Sequence, residues 1–368
     1  MIYATIEYMR VCIDISPIPY GTGVSRYTAN LATALANLGD ISLSVFGSSM
    51  RQLPVLTQFA ATHRINHRLY PLPQRIMTPL FSLAGMADLM TGFPDIFHAW
   101  DWYFPQTIKT TPLITIHDVA LFKFPHIANE TIKHHHQQVI NEVKRRQADV
   151  IAVSESTKTD LMELFHFPPE SIHVVHEALP IEQQITVSSS EIEAIKDTFS
   201  LKRPYLLMVG TREPRKNHLK QIEAWRAFSA DYDLVIVGKS GWQEVREEPH
   251  VHLIDYVSGT DLAGLYRGAC LLLFASLAEG FGLPILEAFF HHTPVVTSNR
   301  SSMAEIAADA AVLVDPDDVE SIRDGITTAL NTKNELIAKS MSRLNDFSWS
   351  KAAEETVSVY RQVLAKKQ

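Results

Sequence analysis

The chain has 368 residues, about twice the usual size of one domain, so we expect two domains with separate hydrophobic cores. Hydrophobic residues make up 46% and charged residues 20%, a composition that excludes a disordered or a fibrous protein. The 41 Asp and Glu residues outnumber the 33 Lys and Arg residues, and the resulting net charge of -8 disfavours a protein that wraps a nucleic acid.

The two cysteines, Cys12 and Cys270, lie far apart in apolar runs, which predicts reduced core residues and favours a cytoplasmic setting. No apolar stretch reaches the roughly 20 residues that span a bilayer, and no secretory signal is visible. We therefore expect neither an integral membrane protein nor an exported one. The residues before the first predicted strand make Met9 an alternative translation start to Met1.

The first half of the chain alternates short apolar runs with helical patterns. The runs predict strands at residues 11–15, 43–46, 113–116, 149–153 and 172–175, with helices at 25–38 and 129–147 between them. Strands that are apolar on both faces and joined by helices indicate a parallel sheet covered by helices. We predict an α/β domain of the doubly wound type over residues 1–185.

A polar stretch at residues 180–190 interrupts this alternation and is the predicted linker. The alternation then restarts, and a second Rossmann-like domain is predicted over residues 186–345, with the remaining residues, 346–368, forming a helix that packs back across the junction. Because such domains bind ligands at the C-terminal ends of their strands, we place the site in the cleft between them. The strands predicted in the second domain are 205–209, 234–237, 252–254, 271–274, 294–296 and 311–314.

The segment Glu-Gly-Phe-Gly-Leu-Pro-Ile-Leu-Glu at residues 279–287 follows the predicted strand at 271–274. Its glycine turn leads into a helix, whose free N–H groups and dipole favour a phosphate. Glu279 and Glu287, at the two ends, could each accept hydrogen bonds from a vicinal diol. The segment therefore predicts a ligand that carries hydroxyls near a phosphate, such as a nucleotide sugar. The alternative is a helix cap at Glu279 and a solvated side chain at Glu287.

A second loop, at residues 210–217, follows the predicted strand at 205–209. Arg215 and Lys216 would project where the next helix begins, with Arg suited to bidentate phosphate contacts and Lys to a mobile point charge. Asn217 is predicted to cap that helix. The alternative is a surface turn in which these cations pair with Glu213.

Two features of the first domain point into the same cleft. Gly21 and Gly23 follow the first strand and open a helix, although no third glycine completes a dinucleotide-binding fingerprint. His117 ends the strand at 113–116, where it could contact a ligand hydroxyl or a developing charge. Asp118 is expected either to orient His117 or to cap the next turn. The alternatives are a plain strand-to-helix turn and a histidine satisfied within the core.

Three other features have simpler interpretations. The acidic run at residues 315–318 is predicted to cap a helix, and His134, His135 and His136 point around a helix and cannot converge on a metal ion. The basic and apolar stretch at residues 63–90 could contact an anionic membrane surface or a lipid-linked substrate, or be a solvated face over the core. Both interpretations of that stretch stay open.

Together, the segment at 279–287, the loop at 210–217, the first glycine turn and the closing helix around Trp349 resemble the family-4 retaining glycosyltransferases of the GT-B fold. In that fold two Rossmann-like domains face each other across a cleft, and the resemblance covers nearly the whole chain. It implies that Glu287 holds the ribose hydroxyls of a donor nucleotide and that Glu279 contacts the donor sugar. It also implies no metal ion and no other cofactor.

The resemblance assigns roles to further residues. Arg215 and Lys216 resemble the pair that neutralises a leaving diphosphate, and His117 resembles the histidine that contacts the sugar near its reacting carbon. Thr211 departs from the arginine that many relatives carry, so Arg215 is expected to take that role. The other residues expected to meet the donor are Gly21, Gly23, Gly210, Tyr256, Val257, Phe281, Gly282 and Leu283.

The resemblance predicts a retaining glycosyltransferase of polysaccharide biosynthesis, which moves a hexose from a nucleoside-diphosphate sugar to a glycan or lipid-linked acceptor. The pattern is most similar to bacterial mannosyltransferases, which favours mannose from GDP-mannose. Alternatives are a UDP-glucose-type donor, a sugar-nucleotide epimerase and a non-catalytic nucleotide-sugar binding protein. We expect a cytoplasmic protein, and we consider a peripheral contact with the anionic inner face of the membrane.

Overall fold

The computed structural model describes residues 8–367 apart from 102, 125–129 and 247. The first half of the chain forms one parallel sheet with the strands β1 (Met9–Asp14), β2 (Ile41–Ser48), β3 (Asn66–Tyr70), β4 (Ile96–Trp100), β5 (Thr111–Ile116), β6 (Val150–Ala152) and β7 (Ile172–Val174). Their order across the sheet is β3-β2-β1-β4-β5-β6-β7. This order confirms the predicted doubly wound α/β architecture.

Two strands of this sheet were not predicted from the sequence. β4 is buried along its whole length and pairs with β1 on one side and β5 on the other. It lacks the run of β-branched residues that marks its neighbours, since Ile96 is followed by aromatic and small residues as far as Trp100. β3 is an edge strand with exposed polar residues, and it occupies part of the basic stretch that was considered for membrane contact.

The second half of the chain forms another parallel sheet. Its strands are β8 (Tyr205–Val209), β9 (Asp233–Val237), β10 (Val251–Ile254), β11 (Leu271–Phe274), β12 (Val295–Ser298) and β13 (Val312–Val314), in the order β10-β9-β8-β11-β12-β13. All six coincide with predicted strands, with ends shifted by at most two residues. The two sheets lie on opposite sides of the boundary proposed at residues 185 and 186.

Helices cover both sheets. Those of the first half are α1 (Gly23–Leu38), α2 (Leu53–Thr62), α3 (Gln74–Phe81), α4 (Met86–Thr91), α5 (Ala120–Lys123), α6 (Glu130–Arg145) and α7 (Glu155–Phe165). Those of the second half are α8 (Ser189–Thr198), α9 (His218–Trp225), α10 (Gly259–Gly268), α11 (Leu283–Phe290), α12 (Ser301–Ala307), α13 (Val319–Asn331) and α14 (Lys333–Leu344), followed by α15 (Trp349–Ala365). No helix among these described residues is long and apolar enough to cross a membrane.

The closing helix α15 returns to the first domain, as predicted. The Ser348 hydroxyl caps it by accepting a hydrogen bond from the Lys351 N–H. The Trp349 indole donates to the Leu179 carbonyl over 3.0 Å, and the Tyr360 hydroxyl is 2.8 Å from Nδ1 of His98 in β4. Since His98 and Tyr360 are both fully buried, α15 completes the core of the first domain from the far end of the chain.

Candidate active site between the two sheets

The loop after β8 holds Arg215 and Lys216 at the cleft. Gly210 has φ of +140°, and a Cβ there would lie 3.0 Å from the Lys216 side chain, so this position favours glycine. A short 3-10 turn, Pro214–Lys216, then precedes α9 and carries both cations. This turn places the two side chains together at the C-terminal end of the sheet, as the sequence predicts.

Glu279 neutralises both cations. Its carboxylate oxygens lie 2.6 Å from the Arg215 guanidinium and 2.7 Å from the Lys216 ammonium. Burial opposes ionisation of Glu279, but the charges of Arg215 and Lys216 outweigh burial and lower its pKa to about 2. Arg215 also pairs with Glu213 over 2.7 Å. The ion pair with Glu213, which was the alternative expected from the sequence, therefore coexists with the ion pair to Glu279 in the cleft.

The glycine turn between β11 and α11 brings the two domains into contact. A Cβ on Gly280 would lie 2.2 Å from the carbonyl oxygen of His117, and the Ser154 hydroxyl donates to the Gly280 carbonyl over 2.7 Å. Gly282 has φ of +107° and stands at the N-cap of α11, which begins at Leu283. The side chain of Phe281 is buried, so only its backbone is available for the donor contact predicted for it.

Glu287 lies in α11 and is 6% exposed. The Tyr266 hydroxyl donates to its carboxylate over 2.5 Å, and the side-chain amide of Gln183 donates to its other oxygen. Burial raises the pKa of Glu287, against the hydrogen bond from Tyr266 and the charge of Arg26 on α1. The Gln183 amide, from the interdomain linker, therefore binds the Glu287 oxygen that was predicted to hold the ribose hydroxyls.

The turn predicted to meet the nucleobase follows β10. Tyr256 is 79% exposed there, and Val257 is partly buried against the core. Arg212 forms an ion pair with Asp255 just before them and is itself buried. Arg212 thus links the loop after β8 to this turn. Arg215 is the arginine of that loop that pairs with Glu279.

His117 is fixed from the first domain. Its Nδ1 is 2.7 Å from the Asp101 carboxylate, which also accepts the His117 backbone N–H over 2.9 Å. The Tyr27 ring packs edge-on against the imidazole, with 4.8 Å between the ring centroids. Burial is the largest influence and lowers the pKa of His117, but the charge and hydrogen bond of Asp101 and the charges of Glu177 and Asp118 together outweigh burial, and the net shift is upward. Asp101 orients this histidine, whereas Asp118 accepts the Ala120 N–H over 2.9 Å and so caps the next turn, which is the other role predicted for it.

The first glycine turn has open space beside both of its glycines. Gly21 has φ of +67°, and a Cβ at Gly21 or Gly23 would have no described atom within 4 Å. The Thr22 and Ser25 side chains form a capping box at the start of α1. Beside this turn lies a cavity of about 340 Å³. Its lining includes Asp14, Tyr20, Gln74, Trp100 and Tyr103.

Asn217 contradicts its predicted role. It stands at the N-cap position of α9 with φ of 57°, but its side chain makes no capping hydrogen bond. The side-chain amide instead donates to the carbonyls of Ala275 and Pro316 over 3.1 and 2.7 Å. Asn217 therefore ties the loop after β8 to the loops after β11 and β13.

The cap predicted in the acidic run is confirmed at Asp318, which accepts the Glu320 N–H.

Three residues of the site carry no local sequence signal. Asp101 follows β4, a strand that was not predicted, Glu177 lies in the loop after β7, and Gln183 belongs to the stretch that was interpreted only as a linker. Their neighbours, His117 and Glu287, are 16 and 104 positions away along the chain. Asp101 and Gln183 reach these neighbours because the folded chain brings distant loops together at the cleft.

Two family models match this chain in sequence. The model described as Glycosyltransferase Family 4 matches residues 21–183, and the model described as Glycosyl transferases group 1 matches residues 190–345. The chain belongs to glycosyltransferase family 4. One curated relative, the O-antigen chain mannosyltransferase B of Escherichia coli, is 27% identical to this glycosyltransferase over 96% of the chain and 100% of its own length.

Solved structures show the same GT-B fold. A glycosyltransferase from Rickettsia africae aligns with a TM-score of 0.71 at 17% identity, over 96% of this glycosyltransferase and 98% of the other chain. The Anabaena protein HepE, solved in complex with UDP and glucose, aligns with a TM-score of 0.70 at 14% identity, over 96% and 100% of the two chains. The predicted family, fold and glycosyltransferase class are thus confirmed.

Proposed function

We propose that this glycosyltransferase moves mannose from GDP-mannose to a glycan or lipid-linked acceptor hydroxyl in polysaccharide biosynthesis, with retention at the anomeric carbon. The observation that carries the proposal is the largely buried cluster of Arg215, Lys216 and Glu279 opposite His117. Similarity to an O-antigen mannosyltransferase along nearly the full chain favours mannose. The fold neighbour that binds UDP and glucose supports a UDP-sugar as the second candidate donor.

The proposed chemistry needs charge stabilisation more than a protein nucleophile. Arg215 and Lys216 bind the diphosphate, with the backbone of Gly210 and the helix N-terminus at Leu283 beside it. The bond from the anomeric carbon to the phosphate oxygen breaks, and a bond to the acceptor oxygen forms on the same face. The acceptor proton passes to the leaving phosphate oxygen. Glu279, the present partner of both cations, turns to a sugar hydroxyl when the diphosphate takes its place.

The other donor contacts follow the sequence prediction. Glu287 exchanges the Gln183 amide for the ribose hydroxyls, and Tyr256 and Val257 meet the base. We assign the acceptor to the cavity beside the first glycine turn, because its aromatic side chains suit a sugar ring and Asp14 offers a hydrogen-bond acceptor. In this proposal no metal ion takes part, since Arg215 and Lys216 supply the positive charge.

Transfer assays test the proposal. The purified chain is incubated with GDP-mannose or UDP-glucose and a mannose-terminated acceptor, with and without a chelator, and the product anomer is determined by NMR. We expect acceptor-dependent transfer from GDP-mannose, an α-linked product and no loss of rate with the chelator. Donor conversion to another sugar nucleotide without an acceptor would instead identify an epimerase, and binding without turnover would identify a binding protein.

We also propose a peripheral membrane contact on the first domain. Leu83, Leu89, Phe93 and Ile108 are between 41% and 71% exposed, and we call them the apolar patch. Ile108 lies beside Gly85, and the Lys109 ammonium lies 5.7 Å from the Phe93 ring centroid, so a cation adjoins the apolar patch. Such a surface suits an anionic lipid bilayer, to which a lipid-linked acceptor would be anchored.

Vesicle sedimentation tests this contact. We expect binding to phosphatidylglycerol vesicles, weaker binding to phosphatidylcholine, and loss of binding in Leu89→Asp. Leu219→Asp is the matched control, because Leu219 is 54% exposed on the second domain, against 59% for Leu89. Equal losses in the two variants would contradict the assignment of the membrane contact to the apolar patch.

A further inference from the structure

The cavity assigned to the acceptor adjoins a second cavity of the first domain. We call the first one, of about 340 Å³ beside Asp14 and Trp100, the acceptor cavity. The second cavity, of about 230 Å³, lies between the end of α3 and the second half of α6. Thr78, Tyr103 and His135 line both cavities, so a ligand that fills the acceptor cavity can extend into the second one.

Tyr103 is held in place where the two cavities meet. Its hydroxyl donates to the Asp14 carboxylate over 2.8 Å, and its ring centroid is 5.6 Å from that of Phe81. Asp14 also accepts the hydroxyl and the backbone N–H of Ser16, over 2.6 and 2.9 Å. The Tyr103 ring therefore has one fixed position at the junction, on which neighbouring parts of a ligand can pack.

The second cavity is lined by polar side chains as well as by aromatic rings. The side-chain amide of Gln106 donates to Glu142, whose carboxylate also accepts two hydrogen bonds from Arg145, over 2.6 and 2.8 Å. Among the described residues no donor occupies the Gln106 amide oxygen, which leaves it to accept from a ligand. The hydroxyl of Ser82 and the amide of Gln138 complete the polar part of the lining.

This lining is complementary to a sugar. Amide and carboxylate oxygens accept hydrogen bonds from sugar hydroxyls, and an aromatic ring packs against the apolar face of a sugar ring. A lipid chain fits poorly, because it would cover Gln106 and Glu142 without giving their oxygens a hydrogen bond. The acceptor cavity alone is at the small end of ligand pockets, which begin at about 300 Å³, so a longer acceptor needs the adjoining space.

We propose that the second cavity binds the penultimate sugar of the acceptor while the terminal sugar occupies the acceptor cavity. The acceptor is then a saccharide chain that the first domain recognises by its last two sugars, and Gln106 and Gln138 are specificity residues for it. This inference rests on the proposed function, whose acceptor it narrows from any glycan or lipid-linked hydroxyl to the end of such a chain.

The experiment compares transfer from GDP-mannose to methyl mannoside, to methyl mannobiosides of different linkage and to octyl mannoside. We expect wild-type kcat/KM to be about tenfold higher, or more, with one mannobioside than with methyl mannoside. With that mannobioside kcat/KM should fall about tenfold in Gln106→Ala and about threefold in Gln138→Ala. With methyl mannoside both variants should match wild type, which also shows that they fold.

Gln137→Ala is the matched control. Gln137 and Gln138 are neighbours on α6, and each side chain bonds another side chain one helical turn away over 3.0 Å. Among the described residues Gln138, and not Gln137, lines the second cavity. We expect the control to match wild type with every acceptor.

Three results would overturn the inference and leave the proposed function standing. They are equal wild-type kcat/KM for methyl mannoside and every mannobioside, an equal loss with both kinds of acceptor in Gln106→Ala, and a loss in Gln137→Ala as large as in Gln138→Ala. A preference for octyl mannoside over every mannobioside, lost in Gln106→Ala, would assign the second cavity to a lipid chain instead. No transfer by wild-type protein to any of these acceptors would refute the proposed function itself.

Discussion

The two sides of the cleft satisfy their polar groups in different ways. On the side of the second domain, Glu279 holds Arg215 and Lys216, and Glu287 accepts from Tyr266 and Gln183. On the side of the first domain, Nε2 of His117 and the carboxylate of Glu177 have no partner within the described residues.

This difference has a physical reason. An unpaired charge in a buried site costs several kcal/mol, so the charged donor side needs internal counter-ions. A neutral polar group that waits for a hydroxyl costs about 1–3 kcal/mol, which a folded domain can tolerate. Under the proposed function, donor binding exchanges the partners of charged groups in the second domain and supplies partners to the polar groups of the first domain.

The largest effect is expected at the charged side. In Lys216→Ala, Glu279 keeps only Arg215, and the leaving diphosphate loses a cation, so transfer should fall on the order of 10²- to 10³-fold. Steady-state assays of transfer measure the change. Lys220→Ala is the control, because Lys220 pairs with Asp317 at the surface. A comparable loss in the control would show that general charge, and not the paired cluster, matters.

A smaller effect is expected in nucleotide binding. Glu287→Gln keeps the shape of the side chain but removes the charge that would hold the ribose hydroxyls, so the Kd for the donor nucleotide should rise about 10- to 100-fold. Calorimetry with the nucleoside diphosphate measures it, with Glu223→Gln on the exposed face of α9 as the control. An unchanged Kd would remove Glu287 from the donor site.

The buried Glu177 carboxyl group of the first domain should make the stability of the fold depend on pH. Since burial raises the pKa of Glu177 from 4.5 to about 7, the folded chain binds this proton more tightly than the unfolded chain. Stability is therefore lost as the pH rises through that window. Glu177→Gln should unfold at a midpoint about 2–4 °C above wild type at pH 8, with the difference vanishing near pH 4. Thermal scans across this pH range measure it, and a constant difference would contradict the prediction.

The smallest effect is expected where the domains meet away from the ligands. Glu305 on α12 accepts the backbone N–H groups of Glu155 and Ser156 over 3.0 and 3.2 Å, so it caps α7 from the other domain. Glu305→Gln should cost about 1 kcal/mol or less of stability and leave the Kd for the nucleotide unchanged. Chemical denaturation measures the cost, with the exposed Glu335→Gln as the control. Equal costs would show that the cap is not required.

Much of this protein follows from local patterns. The six strands of the second sheet and the loops that carry Arg215, Lys216 and Glu279 were predictable because each is a continuous run of residues. The same holds for the cap of α15 at Ser348. Family models match residues 21–183 and 190–345, which agrees with the glycosyltransferase family that these motifs indicate. The positive φ of Gly210 and Gly282 explains why glycine stands at these two positions of the loops.

Other features needed the folded chain. β4 is central because β1 and β5 enclose it, and its five residues include strand-favouring types but lack the β-branched run of its neighbours. Asn217 has the right position for a cap, but carbonyls from two other loops attract its amide. The sequence by itself determined the loops that carry Arg215, Lys216 and Glu279, and their charges. The tertiary structure decided which of those charges are paired, and it placed Asp101 beside His117, because that contact joins the ends of two different strands.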